Sequence, residues 1–150
     1  MKIEVWGPAT WTFIHTIAEK IKDEHFQIIG PQLFQMIRRI CLYLPCPECS
    51  QHATYFLNRV NMNRIHSKAE FKNMLCFFHN QVNKKKQKNI YPQIELSIYA
   101  DYSLIRVFNQ FITTYNTRGN MKLLAETFQR NLVVSELKKW LVQNIKYFYQ

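Results

Sequence analysis

The chain has 150 residues, 47% hydrophobic and 15% aromatic, which suffices for one domain with a substantial core. Three Gly and 5 Pro leave little material for a long disordered linker, no apolar run approaches the roughly 20 residues of a membrane span, and 4 cysteines are too few for a disulfide scaffold at this length. The formal charge of +10 suits a basic soluble surface, or a polyanionic partner such as nucleic acid, an acidic membrane or a phosphate-bearing cofactor.

The opening Met1-Lys2-Ile3-Glu4-Val5 carries an acidic residue and no apolar stretch of signal-peptide length, so no secretory address is expected. Pro8 is placed as a first helical residue, with a helix following to about Lys22 and Trp11, Ile14, His15 and Ala18 on one face. Gly30-Pro31 reads as punctuation. Leu33, Phe34, Ile37, Ile40, Cys41 and Leu44 form a second stripe. Pro45 and Pro47 bracket Cys46, ending that helix and starting a third, which carries Cys49, His52, Ala53, Phe56 and Leu57. Ser67-Lys68-Ala69-Glu70 has the pattern of a capping box and opens a fourth helix with the stripe Phe71, Leu75, Phe78, His79 and Val82. After the basic stretch Lys84-Lys85-Lys86-Gln87-Lys88, a fifth helix is expected from about Glu95 to Tyr115. Gly119 marks a turn, and shorter amphipathic pieces follow near Met121–Arg130 and Val134–Tyr149. No alternating strand pattern stands out. The expected fold is an all-α bundle with a C-terminal helical extension.

Cys46 and Cys49 carry the chemistry. A C-x-x-C at a helix start puts one sulfur at the entrance and the other about one turn in, where unpaired N–H groups and the helix dipole favour thiolate. The spacing lets the pair close into a disulfide and reopen by exchange. The motif alone fits thioredoxin-like, zinc-binding or flavin-coupled chemistry. Helical patterns on both sides speak against the strand–helix context of thioredoxin. Cys46, Cys49, His52 and His79 could supply a Cys₂His₂ zinc set, although His52 follows Cys49 by one turn and no compact second ligand pair appears. A zinc-stabilised helical interaction module is therefore the alternative function. A basic nucleic-acid binder is a third, without a recognition-helix motif to support it.

Three further segments fall in order. Trp6-Gly7-Pro8-Ala9-Thr10-Trp11-Thr12-Phe13-Ile14-His15 resembles the opening helix of the Erv/ALR family of FAD-linked sulfhydryl oxidases. Leu44-Pro45-Cys46-Pro47-Glu48-Cys49-Ser50-Gln51-His52-Ala53 resembles its active-site helix start, and Phe78-His79-Asn80-Gln81-Val82-Asn83 its H-N-x-V-N signature. The resemblance spans roughly residues 6–90. It implies a four-helix bundle binding FAD at one end, capped by a short fifth helix. The absence of a G-x-G-x-x-G fingerprint agrees with a helical flavin site. It implies an oxidase core over residues 1–95 and an extension over 96–150.

Carried over residue by residue, Cys46 exchanges with incoming thiols and Cys49 lies nearest the isoalloxazine. Gly7, Trp11, His15 and His52 belong to the flavin surroundings, and His79, Asn80, Val82 and Asn83 to the adenosine and ribose side. Lys86 and Lys88 lie against the pyrophosphate. Alone, Trp11 would read as core, His15 and His79 as satisfied core histidines, and the lysine run as a solvated face. Three departures stand out. Lys86-Gln87 replaces the family's usual Leu-Gly, and no cysteine near Gln93 partners Cys76. A separate shuttle cysteine pair is also missing.

The implied activity is oxidation of protein dithiols to disulfides, with electrons passing through FAD to O2 to give H2O2. The implied partners are a thiol-containing protein, with a thioredoxin- or glutaredoxin-like carrier as one class, and a second copy of the chain, with no nucleic acid and no membrane span. The motifs are most similar to the short members encoded by large cytoplasmic DNA viruses of the poxvirus and African swine fever virus type. That implies a host-cytoplasmic or virion location, with the mitochondrial intermembrane space as the alternative. The segment rich in Trp140, Leu141, Tyr147, Phe148 and Tyr149 either covers the bundle or presents a dimer or partner surface.

Overall fold

The computed structural model describes residues 3–90, 93–116 and 124–150. Helix α1 spans Ile3–Lys20, with Pro8 inside it rather than at its start. Trp6 is buried, so tertiary burial carries the helix back past the proline. The Thr10 hydroxyl donates to the Trp6 carbonyl at 2.7 Å.

Helix α2, Phe26–Leu42, runs through Gly30-Pro31, which the sequence suggests as a break. Burial explains the difference. Phe26, Ile29, Leu33, Phe34, Ile37, Ile40 and Cys41 are all buried on this one helix. Each large apolar side chain contributes roughly 1.5–3 kcal/mol, against about 3 kcal/mol for an interior proline. Gly30 lets the Phe26 ring fold back over the helix, since a Cβ there would come within 2.5 Å of Phe26 Cε2.

Helix α3, Pro47–Leu57, starts as expected, with Cys46 at the N-cap in an extended conformation and Pro47 in the first turn. Helix α4, Lys68–Lys85, opens on Ser67, whose Oγ accepts the Glu70 N–H at 3.1 Å. The Glu70 carboxylate accepts the His66 N–H in return, at 3.4 Å. Its C-terminus closes with Lys88 N–H on Asn83 O at 2.8 Å and Gln87 N–H on Lys84 O at 3.1 Å. This is a Schellman motif, and Gln87 occupies its left-handed position with φ 59°.

The single fifth helix expected over 95–115 is divided. A 3-10 stretch, Gln93–Asp101, precedes helix α5, Leu104–Tyr115. Ser103 caps α5 through its Oγ, which competes with helical continuation. Leu96 and Tyr99, three residues apart, are buried together with Cys76 on the 3-10 stripe. Conversely, the two C-terminal pieces merge into one helix α6, Leu124–Asn144, followed by a 3-10 turn, Ile145–Tyr147. Arg130, Val133, Val134, Leu137, Trp140 and Leu141 make one uninterrupted buried face across the expected gap. The turn expected at Gly119 lies outside the described residues.

The protein is all-α. Among the described residues the only sheet-like pairing is an isolated antiparallel bridge between Ile21 and Phe148. Helices α1 to α4 form the bundle, α5 packs along α1, and α6 packs against α2. All six contribute to one apolar cluster. No helix among the described residues is long and apolar enough to cross a membrane.

Candidate active site

Cys46 and Cys49 are joined by a disulfide at the N-terminus of α3, with their Cα atoms 5.2 Å apart. The Cys49 N–H points back at Cys46 Sγ, 3.2 Å away. The preceding loop is held by Ser50, whose Oγ accepts the Leu44 N–H at 2.8 Å. Both sulfur positions therefore sit in the field of the α3 N-terminus, where negative charge is favoured.

The disulfide forms part of the wall of a cavity of about 300 Å³ enclosed by α1, α2, α3 and α4. Gly7, Trp11, Ile14, Ala53, Phe78 and Val82 supply its apolar surface, and His52, Lys85 and Lys86 its polar edge. Burial, then Lys85 and Lys86, lower the His52 pKa, which favours the neutral ring. A second cavity of about 290 Å³ adjoins the first and shares Gly7, Trp11, Val82 and Lys86 with it. Its other walls include His79, Asn83, Lys88 and Tyr99.

An aromatic stack underlies the second cavity. Trp11 and His79 lie face to face with centroids 4.0 Å apart and planes 9° apart. His15 Nε2 and His79 Nδ1 share a hydrogen bond at 2.9 Å, and Tyr99 stacks on His15 at 5.2 Å. Burial, reinforced by His79, lowers the His15 pKa to about 3. Burial and Lys88 lower that of His79 to about 4. The pair is thus neutral near pH 7. Burial and the charge of Lys88 also lower the Lys86 pKa, partly offset by Glu48.

Of the residues singled out from sequence, Gly7, Trp11, Cys46, Cys49, His52, Val82 and Lys86 line the first cavity. His79, Asn83 and Lys88 line the second, and His15 lies behind it on His79. Asn80 is placed differently. Its Nδ2 approaches Cys76 Sγ at 3.8 Å, and it appears in the lining of neither cavity. The zinc arrangement is not formed. Cys46 and Cys49 bond to each other, and no group of three His, Cys, Asp or Glu among the described residues could hold a metal ion.

Several lining residues escaped the sequence reading. Thr10 stands three positions from Gly7, Ile14 three from Trp11 and Phe78 four from Val82, so helical spacing could have found them. Cys41 also lines the first cavity. Tyr99 carried no local signal, since it reaches the site from the 3-10 segment through tertiary packing.

An apolar slot beside a disulfide, continuous with a polar cavity and bordered by lysines, has the chemistry of a dinucleotide site. The slot suits a planar ring, the lysines a pyrophosphate, and Asn83 with the His79 edge a nucleoside. The residues present fit FAD.

The profile of the Erv1 / Alr family matches residues 8–103. The chain is 36% identical over 86 residues to the FAD-linked sulfhydryl oxidase ERV1 of Oryza sativa subsp. japonica, covering 57% of this chain and 44% of that protein. It is 30% identical over 92 residues to the putative FAD-linked sulfhydryl oxidase 096R of Invertebrate iridescent virus 3, covering 61% of this chain and 60% of the relative. It is 28% identical over 101 residues to the FAD-linked sulfhydryl oxidase of African swine fever virus (isolate Pig/Kenya/KEN-50/1950), covering 67% of this chain and 84% of that protein. The chain thus matches under half the length of the plant relatives. No solved structure matches it.

Proposed function

Because the chain belongs to the Erv1 / Alr family, we propose that it is an FAD-dependent thiol oxidase that makes disulfides through Cys46 and Cys49. The observation that carries this reading is the Cys46–Cys49 disulfide in the wall of an apolar, lysine-edged cavity. Oxidase core and extension divide near residue 95.

A substrate thiolate attacks Cys46 Sγ, forming a mixed disulfide and releasing Cys49 as thiolate. The second substrate thiol then attacks the substrate sulfur of that mixed disulfide. The oxidised substrate leaves, and both enzyme cysteines are reduced. The α3 N-terminus stabilises the negative charge on Cys49. Trp11, Phe78 and Val82 exclude water beside that sulfur. His52, His79, Asn83, Lys86 and Lys88 hold the dinucleotide, with His15 fixing the His79 ring. Asn80 belongs to this site only indirectly, through Cys76 and α4. FAD held there would supply the two-electron acceptor chemistry that restores the Cys46–Cys49 disulfide, with O2 as the terminal acceptor. The sum is one dithiol and one O2 converted to one disulfide and one H2O2.

Lys86 and Lys88 repel one another across the second cavity, and a bound pyrophosphate would relieve that repulsion. The substrate is a protein dithiol, for which a thioredoxin- or glutaredoxin-like carrier is a suitable class. The chain acts as a homodimer. Its relatives in an iridescent virus and African swine fever virus favour a viral setting, in host cytoplasm or virion. The relative in yeast, named mitochondrial, represents the other location.

The test is purification and turnover. The protein should be yellow, release FAD rather than FMN on denaturation, and produce one peroxide per disulfide formed from a dithiol. A colourless protein that takes up no FAD, and makes no peroxide when FAD is added, would remove this reading.

A further inference from the structure

The last turn of α2 leads into the redox loop, and its carbonyls are met by side chains from the far end of the chain. The Tyr115 hydroxyl, at the end of α5, donates to Ile40 O at 3.0 Å. Arg130, on α6, donates through Nη1 to Tyr43 O at 3.4 Å and through Nη2 to Thr127 Oγ1 at 3.2 Å. Tyr43 is the C-cap of α2, three residues before Cys46.

Arg130 is 0% exposed. Its pairing is thin for a buried charge: the Glu126 carboxylate is 3.9 Å away, and Nε has no hydrogen-bond partner. Burying a guanidinium this way is costly, and an apolar side chain of similar volume would often serve stability as well or better. The guanidinium does something an apolar residue cannot. It places donors and positive charge at the C-terminal end of α2, where orphan carbonyls and the negative end of the helix dipole meet. The next residue, Leu44, is tied to α3 through Ser50. The chain entering Cys46 is thus fastened to α6 at Tyr43 and to α3 at Leu44.

We propose that Arg130 is a positioning residue for the Cys46–Cys49 pair, holding the Tyr43 carbonyl so that the α3 N-cap presents the two sulfurs to each other. Arg130 and Tyr115 both lie beyond the family match over residues 8–103. The added C-terminal helices thereby take part in setting how readily the disulfide closes. The significance for turnover rests on the thiol-oxidase reading, but the closure itself is measurable without flavin or oxygen. In that measurement the two enzyme thiols and one oxidised glutathione exchange to the enzyme disulfide and two reduced glutathiones. A fixed loop raises the effective concentration of one thiol at the other, and a loosened loop lowers it.

The experiment equilibrates the full chain, anaerobically, with defined glutathione mixtures and reads the Cys46–Cys49 state by alkylation and mass spectrometry. Arg130→Met should lower the closure constant about tenfold, making the potential ~30 mV less negative. Arg130→Lys, which keeps charge at the α2 end but loses the planar fork, should fall between Met and wild type. Thr127→Val, which removes the Nη2 acceptor, should lower the constant about threefold, by ~15 mV. Circular dichroism and thermal melts on the same samples establish which variants are folded. A folded Arg130→Met protein with the wild-type closure constant overturns the proposal. Should that variant fail to fold, unchanged constants in both Arg130→Lys and Thr127→Val overturn it equally. Absence of flavin and peroxide would refute the oxidase reading while leaving this measurement intact.

Discussion

His15 and His79, 64 residues apart in sequence, share a part-buried hydrogen bond of 2.9 Å and join the first and fourth helices behind the second cavity. Neither ring can take up a proton without charging a buried site.

That pair makes stability depend on pH. Unfolded imidazoles bind protons below about pH 6.5, whereas burial lowers the folded values to about 3 for His15 and about 4 for His79. The stability contribution is complete above pH 6.5 and declines as pH falls toward 4, with a limiting slope on the order of 1.4 kcal/mol per pH unit for each imidazole. Melting temperatures measured across this range should fall accordingly. His79→Phe keeps a ring against Trp11 and should flatten the profile. A profile as steep as wild type in that variant would show the dependence lies elsewhere.

The two cysteines of the proposed redox pair should separate spectroscopically. Removing either should abolish turnover, because exchange needs both sulfurs. In Cys46→Ser, Cys49 remains as a thiolate favoured by the helix N-terminus and should give a long-wavelength absorption band with FAD that disappears on acidification. In Cys49→Ser no such band is expected, and Cys46 should trap substrate as a mixed disulfide. The reverse pattern would exchange the two roles.

Cys41 and Cys76 are buried thiols outside the disulfide. Burial raises the Cys41 pKa to about 12 and raises that of Cys76. Native alkylation at pH about 8 should therefore spare both, since thiolate is the reactive form. Replacing both with Ala should leave most oxidase activity, and non-reducing peptide maps should show only Cys46–Cys49. A dominant Cys41–Cys76 bridge in those maps would contradict this.

Gln87 occupies a position suited to glycine. Its φ of 59° closes the Schellman motif that sets Lys88 beside the second cavity. A non-glycine residue there costs roughly 1 kcal/mol or more. Gln87→Gly should stabilise the protein by about 1 kcal/mol in urea unfolding, with FAD retention unchanged. Loss of FAD in this variant would mean the Gln87 side chain itself contributes.

Lys86 and Lys88 should matter through charge. Reversing both to Glu should weaken FAD retention at moderate salt, and the deficit relative to wild type should shrink as salt screens both proteins. Unchanged flavin content would make the stretch a solvated face.

The local rules worked where one kind of signal dominated. Pro47 after Cys46, the Ser67 cap on the Glu70 N–H and the stripes of α2 and α4 are short-range features, and each is present as its residues suggest. They failed where burial opposed a breaker. Gly30-Pro31 reads as a stop, yet α2 continues because its apolar stripe gains more by remaining whole. They failed again where a cap opposed an apolar run, at Ser103. Around the first cavity, the convergence of Trp11, Cys46, Cys49, His52, Val82 and Lys86 was legible because motif and helical spacing place them on or at the ends of facing helices. Tyr99 on His15, Cys41 in the cavity wall and Arg130 on the Tyr43 carbonyl were not. Those contacts join segments distant in sequence, and which distant surfaces meet is decided by how whole helices exclude water together, a quantity no single window of residues contains.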